Sequence, residues 1–133
     1  MKYRLPDCIG SRIRRLSRIA DAEMRKVLQA YGTTENQTTI LFTLHELGNI
    51  EQGKIGEVLF LERSTVSRNI KLLEKRGLVH RSAAYRPMVE LTEKGRHLVI
   101  DLIPKWEQAM DILTGKLKEE GLEHLQNLEQ KLT

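Results

Sequence analysis

Seven apolar residues, Ile9, Ile13, Leu16, Ala20, Met24, Val27 and Tyr31, follow one another at steps of three or four. That spacing puts them on one stripe of a long amphipathic helix, which predicts a helix running from Cys8 to Tyr31. Pro6 and Asp7 suit its start, because proline fits a helix edge and an acid favours the positive end. Gly32 suits its stop, since glycine adopts positive φ without penalty.

The helical period continues downstream. Thr34-Glu35-Asn36-Gln37 fits a capping box, in which the Thr hydroxyl and the Gln side chain each satisfy a free backbone N–H. Ile40, Leu41, Leu44 and Leu47 form the buried face of the helix it opens, and Gly48 closes it. Ile50 to Leu59 reads as a third, short helix with Ile55, Val58 and Leu59 facing inward. Gly53 and Gly56 each weaken it by about 1 kcal/mol relative to alanine. A close crossing of two helices would account for Gly56.

After the connector Phe60-Leu61-Glu62, a fourth helix is expected from Arg63 to Arg76, and its two faces differ sharply. Val66, Ile70 and Leu73 share one, while Ser64, Arg68, Lys71 and Lys75 share the other. Gly77-Leu78 resembles a helix stop with its hydrophobic contact. Leu78-Val79-His80-Arg81 and Met88-Val89-Glu90-Leu91 are strand candidates, joined as a hairpin by Ser82 to Pro87. Thr92 then caps a long helical region in which Leu98, Leu102, Trp106, Ala109 and Leu113 follow one face, with Val99, Ile103, Met110 and Leu117 beside it. Pro104 is expected to kink that helix or break its hydrogen-bond ladder. Gly121 is expected to set off a last helix carrying Leu122, Leu125, Leu128 and Leu132.

The net charge of +4 is modest, but its distribution is informative. Residues 1–30 hold eight Lys/Arg against three Asp/Glu, and residues 62–86 hold seven against two. The stretches 31–61 and 87–133 are each acidic by three charges. Concentrated positive charge is what a phosphate-facing surface requires. The 133 residues suffice for one domain, 1–133, with its own core. No apolar run approaches the length of a membrane span, and the first residues lack the apolar stretch of a signal peptide. A lone Cys8 cannot form an internal disulfide, so the chain is expected in the reducing cytoplasm, with no membrane partner. His45, His80, His97 and His124 are scattered and show no metal-ligand spacing. Neither a metal nor a cofactor is expected, and no phosphate-cradling loop, HExxH or nucleophile elbow points to an enzyme.

The fold class read from these elements is mainly α, with a small β-hairpin. Helix, short helix, tight turn, basic helix and hairpin, spanning residues 34–91, is the order of a winged helix-turn-helix. A major groove about 12 Å wide accepts an α-helix, and residues near that helix's N-terminus meet the base edges. Arg63, Ser64, Thr65, Ser67, Arg68 and Lys71 are therefore the candidate contacts to double-stranded DNA. Arg68 suits a bidentate contact with guanine, and Lys71 suits a phosphate. Arg86, at the hairpin tip, suits a minor groove, with Tyr85 as the other candidate there.

Leu61-Glu62-Arg63-Ser64-Thr65-Val66-Ser67-Arg68 and Leu73-Glu74-Lys75-Arg76-Gly77-Leu78-Val79 resemble the recognition-helix signature of MarR-family regulators. Leu91-Thr92-Glu93-Lys94-Gly95 is similar to the segment that follows the wing in that family. The hairpin is shorter than the family's usual wing, and Glu51 and Gly56 stand where the family often has Ser or Thr and alanine. The resemblance implies a homodimer framed by helices in 7–31 and 92–133, binding a pseudo-palindromic operator, commonly as a repressor. It also implies a small-ligand pocket where the dimer frame meets the DNA-binding lobe. Two other readings stay open: a winged-helix protein–protein adaptor without DNA binding, and thiol redox sensing through Cys8.

Overall fold

A computed structural model describes residues 1–133. Five helices are present: α1 Ile9–Leu28, α2 Glu35–Leu47, α3 Gln52–Leu59, α4 Arg63–Lys75 and α5 Glu93–Leu132. Three short strands, β1 Ile50–Glu51, β2 Val79–Arg81 and β3 Met88–Leu91, form an antiparallel sheet in the order β1-β3-β2. Helices α2 to α4 and the sheet make a compact lobe, and α1 and α5 pack together as a frame above it.

Local chemistry sets most of the boundaries. The long first helix ends at Leu28 and tightens into a 3-10 turn over Gln29–Tyr31, which stops at Gly32 with φ 66°. Pro6 and Asp7 sit in a separate 3-10 turn, Leu5–Asp7, rather than in the helix itself. The capping box is complete: the Gln37 amide donates to Thr34 Oγ1, and the Thr34 amide donates to Gln37 Oε1, each at 3.2 Å. Thr92 caps α5 by accepting from the Gly95 amide at 3.0 Å. At the end of α4 the Gly77 amide donates to Glu74 O and the Leu78 amide to Leu73 O. Gly77 has φ 73°, as the expected stop requires.

Several expectations need correcting. Ile50 and Glu51 do not start the third helix. They form β1, paired with Val89 and Met88, and α3 begins only at Gln52. Two residues are too few to show a period, and their partners lie almost forty positions away. Val58 is exposed, while Ile55 enters the core and Leu59 packs half-buried against it. Pro104 leaves α5 continuous and breaks only its ladder, removing the donor to the carbonyl of Ile100 on the exposed side of the helix. The backbone break falls at Lys118, which takes φ 58° and ψ −177°, three residues before Gly121.

The core is one cluster of fourteen buried apolar side chains. Ile40, Leu41 and Leu44 of α2 meet Ile55 of α3, Val66, Ile70 and Leu73 of α4, and Val79, Val89 and Leu91 of the sheet. Leu28 of α1 and Val99 and Leu102 of α5 enter the same cluster, so the inner ends of the frame are continuous with the lobe. Polar bonds reinforce this seam. The Arg76 guanidinium donates to the carbonyls of Gly32 and Tyr31, and Lys94 Nζ donates to Arg76 O. Higher in the frame, Lys116 of α5 and Lys26 of α1 converge on Glu23. Their hydrogen bonds and charges, Lys26 foremost, hold the Glu23 carboxyl below its ordinary pKa.

Two glycines mark close approaches. A Cβ at Gly56 would stand 3.1 Å from Leu61 O and 3.5 Å from Val66 Cγ2, so α3 and α4 cross there with little room. At Gly95 a Cβ would collide with the Leu78 carbonyl oxygen, which already accepts from the Thr92 amide. The outer ends of the frame are different. Ile9, Ile13, Leu16 and Ile19 on α1, and Leu122, Leu125, Leu128 and Leu132 on α5, are exposed.

Candidate nucleic-acid interface

Helix α4 is held by one face and presents the other. Val66, Ile70 and Leu73 are fully buried, while Arg63, Ser64, Arg68, Lys71 and Lys75 on the remaining surface are exposed. Thr65 and Ser67 are half-buried at the first turn. No carboxylate neutralises Arg63, Arg68, Lys71 or Lys75 within the chain. Glu62 stands at the N-cap without a side-chain capping bond, so the first-turn amides stay open to an anion. A helix so disposed offers hydroxyls and amides at its tip and cations along its flank.

Beside the start of α4 lies a cleft of about 920 Å³, walled by α3, α4 and the hairpin loop. Arg63 and Ser67 line it from α4, and Tyr85, Arg86 and Pro87 line it from the hairpin. The fold thus brings Arg86 to the same concavity as the head of α4. Ser64, Arg68 and Lys71 are not part of that wall and stand on the outward flank of the helix.

The hairpin loop is anchored at its base and free at its tip. The Ser82 amide donates to Met88 O, and the Met88 amide donates to Ser82 Oγ, each at 2.9 Å. The Gln52 amide donates to Pro87 O, which ties the loop to the head of α3. Tyr85 is 99% exposed, so the tip has nothing to rest on within the chain. Both tip candidates, Tyr85 and Arg86, therefore point away from the core.

Lys54 is the residue that sequence reasoning missed. It lines the cleft from α3, paired with Glu57 at 3.5 Å. Its signal was hidden because it is the single cation of an acidic stretch, and only the packing of α3 against α4 carries it to the basic helix. Glu51 and Glu57 also line the cleft, so the more strongly positive surface is the flank of α4 rather than the cleft floor. Where α2, β3 and the start of α5 meet, a smaller cleft of about 200 Å³ opens beside His45, Glu90 and Arg96. Between α2 and α5, Phe42 and Trp106 pack edge to face with ring centroids 5.4 Å apart. Cys8 is a half-buried free thiol at the N-cap of α1, remote in sequence from these elements.

The MarR family model matches residues 33–84, the span from the cap of α2 to the hairpin. An uncharacterized HTH-type transcriptional regulator of Bacillus subtilis, YhbI, is 28% identical over 111 residues, covering 80% of this chain and 72% of its own. Among solved structures, Bordetella bronchiseptica BpsR, whose DNA binding is regulated by 6-hydroxynicotinic acid, superposes with a TM-score of 0.88 at 24% identity. That match covers 98% of this chain and 96% of BpsR. A probable transcriptional regulator from Pseudomonas aeruginosa gives 0.84 at 26% identity, over 98% of this chain and all of the other. The chain is thus similar to the MarR family through residues 33–84, and over nearly its whole length it shares the fold of the Pseudomonas aeruginosa transcriptional regulator.

Proposed function

We propose that the chain is a homodimeric repressor that reads a pseudo-palindromic operator in double-stranded DNA. The observation that carries this reading is the two-sided α4, locked into the core by Val66, Ile70 and Leu73 and unneutralised on its outer flank. In this reading Arg68 makes a bidentate contact with guanine, and Lys71 neutralises a phosphate. Ser64, Thr65 and Ser67 bond base edges or phosphates at the helix head. Arg63 extends that contact to the backbone, while Arg86, with Tyr85 beside it, reaches the adjoining minor groove.

The exposed apolar stripes at the outer ends of α1 and α5 support a second copy as the covering partner. A two-fold dimer places the two α4 helices in successive major grooves, about one helical turn apart. Residues 34–91 act as the reading lobe, and 7–31 with 92–133 as the dimerisation frame. Regulation of BpsR by a small molecule supports the same mode of control for this chain. A ligand entering between frame and lobe, near Phe42 and Trp106, would change the spacing of the two α4 helices.

Fluorescence-anisotropy binding to DNA from the region beside the chain's own gene, with scrambled competitor and at two salt concentrations, tests the reading. Binding that survives the competitor and weakens steeply with salt is the expected result. Failure to bind any duplex at low salt would leave a protein–protein adaptor in its place.

A further inference from the structure

Two bare helical arms leave the frame above the Lys116–Glu23 ion pair. One is the N-terminal half of α1, with Ile9, Ile13, Leu16 and Ile19 between 43% and 68% exposed. The other is the part of α5 beyond the Lys118 break, with Leu122, Leu125, Leu128 and Leu132 between 40% and 67% exposed. The left-handed backbone at Lys118 turns the second arm off the line of α5.

Each apolar stripe contains one charged residue, and the two are opposite in sign. Arg12 lies three residues after Ile9 and four before Leu16, within the α1 stripe. Glu129 lies four residues after Leu125 and three before Leu132, within the α5 stripe. Both are exposed, and neither has an opposite charge within 4.0 Å in its own chain. A charge covered by an apolar surface is costly unless it is paired. The two also lie at equal helical lengths from their anchor points. Arg12 is eleven residues along α1 from Glu23, and Glu129 is eleven residues along the last segment from Lys118, each about 16 Å of helix.

We infer that in the dimer Arg12 of one copy pairs with Glu129 of the other, forming the pair twice across the two-fold axis. This rests on the homodimer proposed above and deepens it. The occupant of each stripe is the opposite arm of a second copy, and the pair sets which arm meets which, and in what register. In an isologous interface a contact from one residue to another is always made reciprocally. Arg14 and Arg18, on the far side of α1 from the stripe, have no part in it.

The test uses full-length chains and sedimentation equilibrium. Arg12→Glu and Glu129→Arg, each alone, place like charges together twice per dimer and are expected to raise the dimer dissociation constant tenfold or more. An equimolar mixture of the two variants, carrying different tags, restores both pairs and is expected to form a heterodimer at close to wild-type affinity. That recovery also proves both variants folded. Single variants that dimerise like wild type would overturn the pair while leaving the homodimer standing. Recovery in the doubly substituted chain but not in the mixture would place the pair within one chain and overturn the inference equally. A monomeric wild-type chain would remove the homodimer reading itself.

Discussion

The lobe and the outer arms of the frame are built from similar amphipathic helices but reach opposite states. In the lobe, Ile40, Leu41, Ile55, Ile70 and Leu73 are fully enclosed, and α2 carries a complete capping box. In the arms, an equally regular run of leucines and isoleucines faces outward. The difference teaches that apolar periodicity marks a surface destined for burial without naming what buries it. In the proposed reading, the enclosed lobe is the part that reads DNA, and the uncovered arms are the means of bringing two copies together.

The largest expected effect comes from breaking the arms alone. Leu125→Glu puts a charge on the exposed stripe, so the stability of the single chain should change by no more than about 0.5 kcal/mol. Dimerisation should be lost, and DNA affinity should fall by about a hundredfold or more once one lobe binds without its twin. Sedimentation, thermal unfolding at low concentration and anisotropy read these three effects separately. Gly95→Ala attacks the lobe instead. Its methyl group meets the Leu78 carbonyl at the junction of α5 with the hairpin, and about 3 kcal/mol of stability should be lost in denaturant titrations.

A subtler comparison lies within α4. Arg68→Ala should cost roughly 1–3 kcal/mol of binding and relax selectivity at one base position per half-site. Lys71→Ala should weaken all sequences alike and reduce the salt slope by about 1 per site. Binding measured on matched and singly mismatched duplexes tells the two apart; identical, sequence-independent losses would remove base reading from Arg68.

The smallest effect concerns the tie between α1 and α5. Because the folded pKa of Glu23 is lowered, its contribution is present above the unfolded value and is lost as pH falls through the folded one. Glu23→Gln should therefore lower stability slightly at neutral pH and flatten the acid side of the profile, the difference from wild type vanishing below the folded pKa.

How far the sequence could be read depended on whether the controlling contact was local. The capping box at Thr34 and Gln37, the stop at Gly77 and the two faces of α4 all rest on residues within a few positions of one another. Strand β1 could not be read that way, because Ile50 and Glu51 are extended only by pairing with Val89 and Met88. The bend in α5 was equally hidden. Pro104 and Gly121 drew attention as known breakers, whereas Lys118 bears no sign of the conformation it adopts. Within the candidate site, the α4 residues were visible from their spacing. The shared cleft of Arg63, Ser67 and Arg86, and the arrival of Lys54, are products of packing across elements.

The central claim is that two complete lobes are held by the arms so that each reads one half of a symmetric site. Selection of bound duplexes from a random-sequence pool by the wild-type chain tests it most directly. The account predicts an enriched inverted repeat with half-site centres about 10 base pairs apart. Enrichment of an unpaired, asymmetric motif, or of none, would contradict it.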